Sequence, residues 1–284
     1  MHKICLNHSK HPPETLAIGV FDGLHLGHYN IIDELKKHDI SSILSFYPHP
    51  RPNTKLILSF SERLRKFKQL GINQVFVITK KDAVFGMNTN DFIKKILINK
   101  LFVKNIIVGE DFRLGKNRDT NALTFKELCS KEDINVVIIK DLKIDDKKIS
   151  STTIREFLEK ARMLELEEQL GRYYSISGII AKGKGIGGKL GFRTANIYPS
   201  KKMVLPCHGV YKTLTNIDDK EYKSVTFIGG MDRTVIETHI PNFDSNIYYK
   251  RISIRFIKKI RDIKKFNSTA ELVLAIKEDI KNSV

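Results

Sequence analysis

Residues 15–35 read TLAIGVFDGLHLGHYNIIDEL, and this stretch decides the fold. Thr15 to Val20 form a short apolar run ending in a glycine-containing turn, and a helical pattern continues to Leu35, so the order is strand, loop, helix. The same alternation continues downstream. Residues 40–46, 74–78, 105–109 and 135–140 have strand character, with helical patterns between them at 61–70 and 90–100. Strands alternating with helices predict a parallel, doubly wound sheet over the first half of the chain. A helical bridge runs from Ser151 to about Leu170. After Gly171 the runs YYSISGIIAKG, GVYKTLTNI, YKSVTFIGG and RISIRFIKKI are rich in β-branched and aromatic residues and divided by turns, which predicts a small antiparallel barrel or sandwich. An amphipathic helix at 268–280 closes the chain, with Ser268 as N-cap and Glu271 three residues on.

Bulk properties agree with two cores. At 284 residues the chain is near the size at which a single core stops growing, and 41% hydrophobic with 29% charged residues is ordinary globular composition. No apolar run reaches the roughly 18 residues that crossing a bilayer requires, and no signal pattern opens the chain, so a cytoplasmic location without membrane contact is expected. Cys5, Cys129 and Cys207 are scattered without CxxC spacing, which argues against a disulfide framework or a zinc cluster. The formal net charge of +17 would suit a polyanionic partner, but the lysines are spread along the whole chain and form no localised stripe. Small polyanionic substrates would feel the same field, so no specific nucleic-acid partner is expected. Composition is silent on oligomeric state.

GVFDGLHLGH (19–28) lies at the first strand-to-helix turn, where open α/β folds bind ligands. Gly19, Gly23 and Gly27 let backbone approach a phosphate chain. His25 and His28 stand three apart at a helix N-terminus that favours anions, a position from which two imidazoles can hold the α-phosphate of a nucleoside triphosphate as charge develops. In the second half, KGKGIGGK (182–189) offers Gly183, Gly185, Gly187 and Gly188 with Lys184 and Lys189 as a phosphate-binding loop. Thr194 and Asn196 supply the hard oxygens that magnesium carried by ATP accepts.

The string GxFDGxHxGH resembles the signature of the HxGH nucleotidyltransferases, and its FDG form resembles the bifunctional riboflavin kinase and FAD synthetase family. SFYPHP (45–50), VGEDFRLG (108–115) and ISSTTIREFL (149–158) resemble later motifs of that family in the same order. LGRYYSISGIIAKGKGIGGKLGFRTANI (170–197), LPCHGVY (205–211) and the segment 236–266 resemble its kinase half, with Arg193 where the PTAN motif usually has proline and a shortened segment before Glu237. The resemblance implies a Rossmann-like α/β nucleotidyltransferase domain over 1–168 and a riboflavin kinase-like antiparallel barrel with a C-terminal helix over 169–284.

It further implies ATP binding for adenylyl transfer by Gly19, Phe21, Asp22, His25, His28, Ser151, Thr152 and Arg155, and flavin binding by His49, Asp111 and Phe112. For the kinase it implies ATP binding by Gly183, Lys184, Lys189, Thr194 and Asn196, magnesium on Thr194 and Asn196, and Glu237 as general base. The expected activity is phosphorylation of riboflavin to FMN and adenylylation of FMN to FAD, with ATP, riboflavin, FMN and FAD as the small-molecule partners and Mg2+ as cofactor. Two alternatives stay open: an FAD synthetase whose barrel no longer phosphorylates, and a basic RNA-binding protein on a nucleotidyltransferase scaffold.

Overall fold

A computed structural model describes residues 1–6, 12–183, 185–230 and 234–283. The chain divides into two compact units, Met1–Ser151 and Thr152–Val284.

The first unit comprises β1 (His2–Cys5), β2 (Thr15–Ile18), α1 (Leu26–Leu35), β3 (Ser41–Phe46), α2 (Phe60–Gln69), β4 (Gln74–Ile78), α3 (Thr89–Phe92), β5 (Asn105–Gly109), β6 (Arg113–Leu114), β7 (Thr120–Asn121), α4 (Ala122–Ser130), β8 (Asn135–Ile139), β9 (Lys143–Ile144) and β10 (Lys147–Lys148). Its six-stranded sheet has the order β1-β4-β3-β2-β5-β8, parallel except for β1, which runs antiparallel to β4. The alternation of residues along each strand sorts the core onto two faces. Leu16, Ile18, Leu44, Phe76 and Val108 pack on one side, while Ala17, Ile43, Val75, Val77 and Ile107 pack on the other. Because β3 and β4 build outward on one side of β2 and β5 and β8 on the other, the topological switch point lies between β2 and β5. The expected helix at 90–100 is α3 followed by a π-helical turn, Ile93–Ile98.

The second unit begins within α5 (Ser151–Glu159) and continues through α6 (Met163–Leu170), β11 (Tyr174–Ile179), α7 (Ile186–Lys189), β12 (Thr194–Ile197), β13 (Gly209–Ile217), β14 (Lys220–Gly229), β15 (Val235–His239), β16 (Arg251–Arg261) and α8 (Thr269–Lys281). Its antiparallel sheet has the order β11-β16-β13-β14-β15-β12, and an Ala181–Asn196 bridge joins the two edges, closing a barrel. Part of the barrel interior is polar. Thr213, Thr215, Ser224, Thr226 and Thr238 are buried and linked hydroxyl to hydroxyl at 2.8–2.9 Å, so each buried polar atom has a partner. The Ser268 side chain caps α8 at Glu271 N–H, 3.2 Å away, as its sequence predicts. Arg261 ties that helix to β16 through a two-pronged pair with the buried Asp279, at 2.9 and 2.7 Å. Among the described residues, no helix is long and apolar enough to cross a membrane.

Candidate active sites

In the first unit the loop from Gly19 to His25 leaves β2 at the switch point. It is held in a conformation that side chains seldom adopt, with φ of +54° at Phe21, +91° at Gly23 and +45° at Leu24. Several ties maintain it. The Asp22 carboxylate, 2% exposed, accepts the backbone N–H groups of Ile57 and Leu58 at 3.0 and 3.2 Å. Ser151 Oγ donates to the Asp22 carbonyl at 2.7 Å, and Ser45 Oγ donates to the Val20 carbonyl at 3.2 Å.

Beneath the loop lies Arg63, fully buried. It donates to the carbonyls of Val20 and Phe46, at the ends of β2 and β3, and stacks over the Phe60 ring. Burial lowers its pKa to about 10 against the opposing pull of the Asp22 carboxylate, so it remains a cation at neutral pH. Arg63 escaped the sequence reading, which took residues 61–70 only as a helical pattern. The available signal was its placement with Phe60 and Phe67 on one helical stripe.

The tied loop delivers the histidines to the start of α1. His25 is the N-cap, and its carbonyl accepts the His28 and Tyr29 N–H groups at 2.8 and 3.2 Å. The two imidazoles stack with centroids 3.6 Å apart and planes 17° from parallel, and His28 also packs against Phe21 at 5.2 Å. Gly27 makes room for this stack: a Cβ there would meet His25 Cε1 and Nδ1 at 3.3 Å. The helix end therefore presents two nitrogen-bearing rings beside its first N–H groups, an arrangement suited to an oxyanion.

The expected flavin residues have partners of their own. His49 Nδ1 accepts the Arg51 N–H at 3.0 Å, and Phe112 packs on Phe125 with centroids 5.0 Å apart. Asp111 pairs with Lys148 at 3.2 Å, and Lys148 also meets Asp141 at 2.5 Å. Burial alone would lower the Lys148 pKa, but the two carboxylates hold its ammonium above the usual value. Thr152 stands in the first turn of α5 and Arg155 one turn further on.

In the barrel, β12 and β15 run side by side with Thr194 opposite His239 and Asn196 opposite Glu237, so the expected metal ligands and the expected base share one patch of sheet. Glu237 is flanked on its other side by Phe227 of β14. The glycine loop folds over this patch. A Cβ at Gly183 would stand 2.2 Å from Asn196 Nδ2, so only glycine lets the loop approach that buried amide. A cavity of about 450 Å3 opens there, lined by Gly183, Gly185, Gly188, Thr194 and Asn196 together with Phe243 and Tyr248. Glu237 adjoins this wall without lining it. Lys184 and the Lys189 side chain lie outside the described residues. Among the described residues, no cluster of three or more His, Cys, Asp or Glu could hold a metal ion; Thr194 and Asn196 are neutral oxygen donors.

A histidine pair at the switch point of a doubly wound sheet, followed by an antiparallel barrel with a glycine-rich loop over a polar cavity, defines a two-site nucleotide-dependent transferase. A family model described as FAD synthetase matches residues 7–153, and one described as riboflavin kinase matches residues 170–284. The chain belongs to the family of bifunctional riboflavin kinase/FMN adenylyltransferases. It is 33% identical to the protein of that name from Buchnera aphidicola subsp. Schizaphis graminum, over 94% of this chain and 91% of the relative. It is 28% identical to that from Bacillus subtilis (strain 168), over 95% and 91%. The crystal structure of a macrolide-efflux protein from Streptococcus pneumoniae has the same fold, with a TM-score of 0.85 at 24% identity over 97% of this chain and 95% of the other.

Proposed function

We propose that the chain carries out both steps of FAD biosynthesis from riboflavin, each at its own site, with the functional boundary at 168/169. In the barrel, the terminal ribityl hydroxyl of riboflavin attacks the γ-phosphate of ATP, Glu237 takes its proton, and ADP leaves. Thr194 and Asn196 hold the magnesium that arrives with ATP, which supplies charge neutralisation along the phosphate chain. The Asn196–Glu237 register supports this reading, because it sets base and metal ligand side by side.

In the proposed adenylyltransferase domain, residues 1–168, a phosphate oxygen of FMN attacks the α-phosphorus of a second ATP and pyrophosphate leaves. His25 and His28 donate to the α-phosphate oxygens as charge builds, aided by the N-terminus of α1. Gly19 and Phe21 shape the loop around the phosphates, and Asp22 serves nucleotide binding through the backbone it ties. Ser151 acts likewise, Thr152 and Arg155 contact the triphosphate, and His49, Asp111 and Phe112 face the flavin. The use of ATP in both steps supports a cytoplasmic enzyme.

The stacked His25–His28 pair at the switch point is the observation that carries the adenylyl-transfer assignment. The test is to incubate the chain with riboflavin, ATP and magnesium and separate the flavins by chromatography. Wild type should yield FMN and FAD. His28→Ala should accumulate FMN and lose about 10²-fold or more of FAD formation, whereas Glu237→Gln should form no FMN yet convert supplied FMN to FAD. Unaltered FAD formation in a His25→Ala/His28→Ala double variant would reject the assignment.

A further inference from the structure

Among the described residues lining the barrel cavity, Arg193 is the one cation and Asp244 the one anion. They hold each other, Arg193 Nη1 donating to Asp244 Oδ1 at 2.7 Å. Arg193 immediately precedes β12, and Asp244 lies on the segment between β15 and β16. The backbone at Arg193 is fixed from below. His239 Nδ1 donates to the Arg193 carbonyl across 2.8 Å, and the neighbouring Phe192 meets the His239 ring edge-on at 5.7 Å. The far end of the side chain is another matter: the ion pair is exposed, at 74% and 89% for its two side chains, and such pairs contribute little to stability. A guanidinium with an anchored base and a weakly held tip can change partners at small cost. A phosphate group offers it the better exchange, with charge-assisted, two-pronged hydrogen bonds.

Resting on the reading of this cavity as the kinase site, we infer that Arg193 is a phosphate-binding residue, whose guanidinium leaves Asp244 for the phosphate chain of the entering nucleoside triphosphate. Asp244 then acts as a placeholder that competes with the nucleotide and orients Arg193 across the cavity when no anion is bound. The cavity lining supports the nucleotide as the anion, since Arg193 adjoins Thr194 and lines the same cavity as Gly183, Gly185 and Gly188, a glycine-rich stretch of the kind suited to phosphate.

The test uses the full chain with riboflavin, ATP and magnesium, and reads kinase flux as FMN plus FAD. Arg193→Ala should raise KM for ATP in this reaction by about tenfold or more, and Arg193→Lys should fall between it and wild type. Asp244→Asn should lower KM for ATP by about twofold to fivefold, and KM for riboflavin should stay within about twofold in all three. In the same preparations, KM for ATP in FAD formation from supplied FMN should not change, which also reports that the chain is folded. A KM for ATP within about twofold of wild type in Arg193→Ala would refute the inference. So would a loss confined to product inhibition by FMN, which would assign the guanidinium to the flavin phosphate. Wild-type chain that makes neither FMN nor FAD from riboflavin would instead overturn the kinase reading, and the inference with it.

Discussion

Asp22 belongs to the sequence motif that reads as nucleotide-binding, yet its carboxylate is turned toward the protein. Replacing it with alanine removes the acceptors of two buried backbone donors, at Ile57 and Leu58, whose residues are 0% and 1% exposed. Each lost partner costs about 1–3 kcal/mol, so Asp22→Ala should destabilise the first unit by roughly 2–6 kcal/mol. Asp22→Asn keeps the size and one acceptor oxygen but loses the charge near Arg63, and should cost about 1–3 kcal/mol, or roughly 3–10 °C in unfolding temperature. On the reading that the carboxylate serves the nucleotide through the loop it ties, kcat/KM for ATP in FAD formation should fall by about tenfold or more in the alanine variant, together with the loss of stability. The assays are thermal unfolding, amide hydrogen exchange at Ile57 and Leu58, and FAD formation as a function of ATP. Exchange at those two amides should accelerate, while FMN formation from riboflavin serves as the control. If Asp22→Ala leaves exchange and unfolding unchanged but raises KM for ATP about tenfold, the carboxylate acts on the nucleotide and this reasoning is wrong.

Gly27→Ala would place a methyl group 3.3 Å from the His25 ring, so the stack must shift; FAD formation should drop about tenfold or more while FMN formation persists, as chromatography of the products will show. Gly183→Ala should produce the opposite pattern, because its Cβ collides with the buried Asn196 amide; KM for ATP in riboflavin phosphorylation should rise while FAD formation from FMN is spared. Burial pushes the Cys129 thiol up to about 12, so alkylation at pH near 8 should label the exposed Cys5 first and reach Cys129 only on unfolding, as peptide mass mapping will report. Since the folded chain holds that proton more tightly than the unfolded one, the stability it contributes is complete below about pH 9 and lost as pH rises toward 12. A Cys129→Ser variant should show a weaker decline across the same window in denaturant unfolding.

Much of the fold was legible because its signals are local. The runs expected at 74–78 and 105–109 coincide with β4 and β5, since parallel strands covered on both faces are continuous apolar segments. The α8 cap was legible for the same reason: its donor and acceptor are three residues apart. Strand β1 was not read, because HKIC carries no strand pattern of its own and exists as a strand through pairing with β4. Likewise, nothing in a helical period announces the π-turn at Ile93–Ile98.

The sequence by itself determined the order of elements, the place of the HxGH turn at the head of a helix, and the residue types available for phosphate, metal and proton. Tertiary structure alone decided how those residues are used. It turned Asp22 toward the segment at Ile57, buried Arg63 beneath the histidine loop, set Asn196 opposite Glu237 and joined Arg193 to Asp244. Each of these pairings depends on strand order, register and loop closure between distant parts of the chain. A periodic pattern constrains only near neighbours, so side-chain partners far apart in sequence are chosen when the sheets assemble and burial favours polar groups that find a counterpart.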